Sequence, residues 1–129
     1  MNRMKSLYIS LTWLIAIVWI INGLFCKVLN WVPRHRLIVA RILGATYADQ
    51  LTTAIGWAEI LMAVWIIIGV WPRISAITQI IVIGVMNTLE FFIAPDLLLF
   101  GRYNAVLALL FMGVIYYESL ILYPKISRL

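Results

Sequence analysis

The sequence predicts an all-α membrane protein: a bundle of four transmembrane helices, with a short interfacial helix between the first and second spans. Three observations carry this. The 129-residue chain is 65% hydrophobic, has a mean hydropathy of +1.05 and is only 12% charged. A soluble domain cannot cover that much apolar surface. Apolar runs of the length that crosses a bilayer, about 20 residues, occur four times and leave room for little else. The cations cluster at the ends of these runs, where headgroups and loop topology account for them. A single integral membrane domain over 1–129 follows.

The spans can be taken in order. Span one, about 7–29, follows Arg3 and Lys5. It resembles a signal peptide, but it is too long for one and no small-x-small cleavage site follows, so it reads as an uncleaved first span. Ile15, Trp19, Asn22 and Cys26 form its stripe, with Asn22-Gly23 as a polar notch before Lys27. In the longest connection, Pro33 is placed to open a helix and Gly44 to end it. Arg34, His35, Arg36 and Arg41 stand there among Leu37, Ile38, Val39, Ile42 and Leu43, which fits an interfacial or re-entrant helix better than a spanning one. Span two, about 51–70, has Thr52, Gly56, Glu59 and Ala63 on one face, and small residues mark the packing face in lipid. Trp71-Pro72-Arg73 is a tight turn. Span three, about 74–94, carries Gln79, Ile83, Asn87 and Glu90 on one face. Span four, about 100–123, has the stripe Asn104, Ala108, Phe111, Ile115 and Glu118. There is no internal repeat and no low-complexity tract.

An even number of spans puts both termini on one side, side A. Tyr8, Trp71, Tyr116, Tyr117 and Tyr123 then fall near side A, and Trp31, Tyr47 and Tyr103 near side B, as in two aromatic belts. Side A carries Arg3, Lys5, Arg73, Lys125 and Arg128; side B carries Lys27, Arg34, Arg36, Arg41 and Arg102. Discounting the side B cations that acids would neutralise puts side A in the cytoplasm.

Composition excludes several chemistries. The net charge of +5 is explained by the flanks of the spans, so nucleic acid is not expected as a partner. One cysteine, Cys26, permits no intramolecular disulfide and no Cys-x-x-Cys redox pair. With a single His, a zinc site is not expected, and no Glu-x-x-His pair suggests a bundle di-iron centre. Glycine-rich phosphate loops and Ser-His-Asp arrangements are also missing.

Alternating the direction of the spans puts Asn22, Glu59, Asn87, Glu90 and Asn104 in one layer of the side B half. Lys27, His35, Arg36, Asp96 and Arg102 sit just above it, and Glu118 lies apart, near side A. Each residue has a plain structural reading. The asparagines can be inter-helix hydrogen bonds worth about 1 kcal/mol each. Glu59 and Glu90 can form an ion-pair network with Lys27 and Arg36, and Asp96 can cap a turn. Together they exceed what packing needs, and an ionisable residue at membrane depth marks a functional site by default. The layer predicts a concave site opening towards side B, with walls from Trp19, Trp57, Met86, Phe91, Ala108 and Phe111.

Several segments carry a family resemblance: Trp19-Ile20-Ile21-Asn22-Gly23-Leu24-Phe25-Cys26-Lys27, Val32-Pro33-Arg34-His35, Gly56-Trp57-Ala58-Glu59-Ile60, and Met86-Asn87-Thr88-Leu89-Glu90-Phe91 with Ala94-Pro95-Asp96-Leu97-Leu98. Together they resemble the DoxX-like family of small four-helix membrane proteins over nearly the whole chain. The family name comes from a small subunit of a thiosulfate:quinone oxidoreductase, and similar domains occur fused behind short-chain dehydrogenase-like domains. The resemblance therefore implies a redox or quinone neighbourhood in a bacterial inner membrane.

The expected function is an accessory or binding subunit of a redox system, holding a quinone, isoprenoid or other lipid-like molecule. Asn22, Asn87 and Asn104 would orient polar atoms, Glu59 and Glu90 would accept or relay protons, and Lys27 and His35 would close the mouth, with Asp96 beside them. The sequence does not name a cofactor, a quinone being the candidate, and no metal is expected. The alternatives are a membrane enzyme using Glu59 or Glu90 as general acid/base, and a structural anchor whose polar layer is glue. The expected partners are the lipid bilayer and a redox protein or a second copy of the chain.

Overall fold

The computed structural model describes residues 3–98 and 101–127. Phe100, at the expected start of span four, and Arg128, one of the side A cations, lie outside the described residues. Among the described residues there are five long helices, α1 (Arg3–Val28), α2 (Pro33–Leu43), α3 (Ala48–Ile68), α4 (Pro72–Ile93) and α5 (Gly101–Ser127), and a 3-10 turn at Pro95–Leu97. All but α2 are long and apolar enough to cross a membrane, which implies a lipid bilayer environment. The described residues contain no strand. Helix α1 starts earlier and α5 ends later than apolar composition suggests, because the polar flanks continue the helical hydrogen bonding.

Local chemistry sets the boundaries. Pro33 lies in the first turn of α2, and Gly44 closes that helix at φ +98° with its N–H on the Ala40 carbonyl. Gly69 ends α3 in the left-handed region, Trp71 adopts φ +48°, and Pro72 starts α4. The expected turn at Trp71-Pro72-Arg73 is thus part of a reversal centred slightly earlier. Two stretches are wound as π-helix, Ile21–Val28 at the end of α1 and Tyr117–Leu122 within α5. Such turns break the 3.6-residue repeat. In α1 the wider turn keeps residues four apart on one face, so the row Ile15, Trp19, Gly23 and Lys27 is buried throughout. This corrects the expected stripe: Asn22 and Cys26 are only half-buried.

The core joins Ile15, Ala16 and Trp19 of α1 to Ala63 and Ile66 of α3, Ala76 and Ile83 of α4, and Ala108 and Ile115 of α5. Its many alanines let helix backbones approach closely, the main source of packing energy in lipid. Large apolar residues such as Leu61, Ile68, Ile81, Leu109 and Leu110 point outward. Helix α1 packs along α3, and α4 along α5; α2 leans on α3, α4 and the end of α1. The last part of α5 returns to α1, where the Tyr8 and Tyr123 rings lie 5.6 Å apart. Both ends of the described chain therefore lie on one side of the bundle.

Candidate functional site

The site is built upward from a contact between two glycines. A Cβ on Gly56 would lie 2.7 Å from the Gly23 carbonyl oxygen, and one on Gly23 would lie 2.6 Å from the Gly56 oxygen. Only glycine at both positions lets α1 and α3 come so close. One turn further on, Lys27 Nζ lies 2.8 Å from Glu59 Oε1, with both side chains about 95% buried. Two opposite charges at this depth are tolerated as a pair and costly apart. The contact is ionic more than directional, because Glu59 Oε1 has no well-aligned hydrogen bond among the described residues.

Across the bundle, asparagines join α4 to α5. Asn104 Nδ2 donates to Asn87 Oδ1 at 3.0 Å, and Asn87 Nδ2 donates to the Ile83 carbonyl at 2.9 Å. Asn22 Nδ2 likewise donates to the Val18 carbonyl at 2.9 Å. Each amide is thereby fixed, and the Oδ1 atoms of Asn22 and Asn104 keep acceptor capacity. Glu90, one turn above Asn87, is half-buried, and its side chain makes no ion pair or hydrogen bond among the described residues.

These groups surround a cavity of about 420 Å³. Asn22, Lys27, His35, Glu59, Asn87, Glu90 and Asn104 all line it, with apolar wall from Trp19, Ile83, Met86, Ala108 and Phe111. A volume of this size with an apolar wall and a few convergent polar groups is typical of a small-molecule site. Helix α2 supplies the upper rim through Arg34, His35 and Ile38. Burial, with Lys27 and Arg34 nearby, pulls the His35 pKa down to about 4, so the imidazole is neutral near pH 7 and can both donate and accept a hydrogen bond. Trp19, on the wall, is held from behind: its Nε1 donates to Gln79 Oε1 at 2.9 Å, and Gln79 Nε2 reaches Ser75 Oγ at 3.1 Å.

Not every expected residue is here. Asp96 is exposed and does not line the cavity; it accepts two hydrogen bonds from Arg41, at 2.8 and 3.1 Å. That guanidinium holds its carboxyl below the usual range. Arg36 pairs with Asp49 at the start of α3 and not with either membrane acid. Together the two pairs tie α2 to α3 and to the turn after α4. Trp57 is more than half exposed, and Phe91 lies beneath Arg102, 5.2 Å from its guanidinium, so neither is a wall residue. Both adjoin a site residue in sequence, but a step of one or two residues turns a helix by about 100° or 200°. Arg34 was not anticipated, and neither was the buried pairing of Trp19 with Gln79.

Glu118 belongs to a separate polar cluster near the chain ends. It accepts from Thr12 Oγ1 at 2.9 Å and from Ser119 Oγ at 2.6 Å. The void beside it is only about 10 Å³. Among the described residues no group of His, Cys, Asp and Glu could hold a metal ion.

The sequence model of the DoxX-like family matches residues 16–116, a stretch that includes every polar residue of the cavity. No curated protein and no solved structure matches the chain significantly.

Proposed function

The chain belongs to the DoxX-like family, and we propose that it is an accessory or binding subunit of a redox system. Its cavity would hold a quinone, an isoprenoid or another lipid-like molecule. The observation that carries this reading is the cavity itself, bordered at membrane depth by Glu90, whose carboxylate has no hydrogen-bond or ion-pair partner among the described residues. A layer of polar glue needs no space beside it; a ligand does. Asn22 and Asn104 offer acceptors to the head of the molecule, and Asn87 holds Asn104 in place. Lys27 neutralises Glu59, and Arg34 and His35 border the mouth. Glu90 takes or gives the proton that a quinone or phenol head exchanges when its redox state changes. A carboxylate that borders the cavity with no hydrogen bond of its own also favours, as a second reading, an enzyme in which Glu90 is general acid/base.

In this reading α2 lies at the interface and both termini face the cytoplasm of a bacterial inner membrane. The donor of electrons is a separate partner protein, since the chain has one cysteine and no redox pair. The test is mass spectrometry of small molecules that co-purify with the protein extracted in its native lipid. A quinone or isoprenoid should be enriched over bulk lipid, depleted by Glu90→Gln and retained in Glu118→Gln. Equal recovery from all three proteins would refute the binding reading.

A further inference from the structure

We infer that the cavity opens sideways into the bilayer, through the seam between α1 and the first half of α5. Its ligand is then a membrane-resident amphiphile whose hydrocarbon chain runs out through that seam. This rests on the binding reading above and adds the route and the shape of the ligand.

The seam follows from how α5 packs. At the side of the chain ends, α5 is tied to α1 by the Thr12–Glu118 hydrogen bond and the Tyr8–Tyr123 ring contact. Beyond that tie the two helices pack against different partners. The first half of α5, Asn104–Tyr116, packs along α4, while the facing part of α1 packs along α3. The cavity lies between these two parts of the bundle. Both edges contribute lining: Val18 and Asn22 from α1, and Asn104, Leu107 and Phe111 from α5. Leu107 is 47% exposed while also lining the cavity, so at this edge the interior meets the outer surface of the bundle.

The rest of the boundary is less favourable to an apolar chain. Helix α2 brings Arg34 and His35 over the rim and packs on α3, α4 and the end of α1. A hydrocarbon chain arriving from water would have to pass these polar groups. Arriving through the seam, it passes Val18, Leu107 and Phe111 and never leaves an apolar medium, so it incurs no desolvation cost. The polar groups Asn22, Glu59, Asn87, Glu90 and Asn104 lie inward of that edge, which sets the direction of the molecule: head inside, chain in the leaflet.

The test uses full-length protein in proteoliposomes, with Cys26→Ser, Val18→Cys and Leu107→Cys. A reversible bis-thiosulfonate reagent bridges the seam. Two photoreactive probes are compared: a phenol with a long isoprenoid chain, supplied in the lipid, and the same phenol without the chain, supplied in the water. Bridging should abolish labelling by the long probe, spare the short one, and be reversed by reductant. As a second variant, Leu107→Trp should weaken long-probe labelling, while Leu109→Trp, on the outer face, should leave it unchanged. Long-probe labelling that survives both bridging and Leu107→Trp overturns lateral access but leaves the binding reading intact, since the head still binds. Loss of both probes on bridging also overturns it, because the seam would then shape the site itself. Failure of both probes to label the unbridged protein overturns the binding reading and the inference with it, whereas labelling by the short probe alone overturns the inference only.

Discussion

Replacing Gly56 by Ala tests whether the close approach of α1 and α3 holds the ion pair in place. The added Cβ would meet the Gly23 oxygen at 2.7 Å, and Lys27 Cβ and Val28 Cγ2 at 2.9 Å each. Two of these neighbours are backbone oxygen and the root of a side chain, which cannot swing away. Restoring ordinary contact, from 2.7 Å to 3.4 Å, requires the helices to part by about 0.7 Å. Overpacking of this kind costs about 1–3 kcal/mol. The same displacement stretches the 2.8 Å Lys27–Glu59 contact, whose outright loss would cost about 3–5 kcal/mol. Against this stands a gain of up to about 1 kcal/mol from removing a helical glycine. The expected net loss is about 2 kcal/mol. Gly84 and Gly113 supply controls on the same scale. A Cβ at Gly84 meets only Met112 Cε, at 3.6 Å, and one at Gly113 meets nothing within 4 Å. Alanine at either should be neutral or stabilising. Thermal unfolding in detergent, followed by circular dichroism, measures all three. If Gly56→Ala is as stable as Gly84→Ala, the argument from close approach is wrong.

Further tests address charge, pH and topology. Lys27→Met or Glu59→Gln alone should destabilise by about 3–5 kcal/mol, and the double variant by clearly less than the sum, read from the same unfolding curves. His35 should make stability pH-dependent. Its folded pKa of about 4 lies below the ordinary 6.5, so between those values only the unfolded chain binds the proton. The stability His35 contributes is full above pH 6.5 and falls with pH towards 4, by up to about 3 kcal/mol, and His35→Gln should flatten that slope. Reporter fusions at the C-terminus and within the 30–47 connection should report opposite compartments; the same compartment for both contradicts four crossings.

The four spans and most of the polar residues of the cavity were legible because both depend on quantities that survive without coordinates. Hydropathy gives the helices, and alternating direction converts position along each helix into depth. That was enough to bring Asn22, Glu59, Asn87, Glu90 and Asn104 together. Facing was less legible. The π-helical stretch Ile21–Val28 shifts the phase of α1, so Gly23 and Lys27 are buried where a straight α-helix would bury Asn22 and Cys26. The partners of exposed charges were not legible either. Arg36, Arg41, Asp49 and Asp96 lie on connections or helix ends, where hydropathy sets no distance. The side-chain hydrogen bonds that link Thr12 and Ser119 to Glu118, and Gln79 to Trp19 and Ser75, gave a weaker signal, because single hydroxyls and amides barely alter the hydropathy of a span.

The Lys27–Glu59 pair also bears on how the chain is assembled. Helices enter the bilayer in order of synthesis and associate afterwards. Lys27 stands one residue from the end of α1, so before its partner arrives its long stem can carry the ammonium to the headgroups. Glu59 has no such escape: it lies roughly 16 Å along α3 from Ala48, on a short stem. It must enter protonated or beside a cation already in place. Because α1 precedes α3, synthesis from the N-terminus delivers the tolerant charge first and the intolerant one second. The reverse order would leave a lone carboxylate waiting in hydrocarbon. The order of the helices along the chain is thus part of what makes the buried pair achievable, apart from its contribution to the finished bundle.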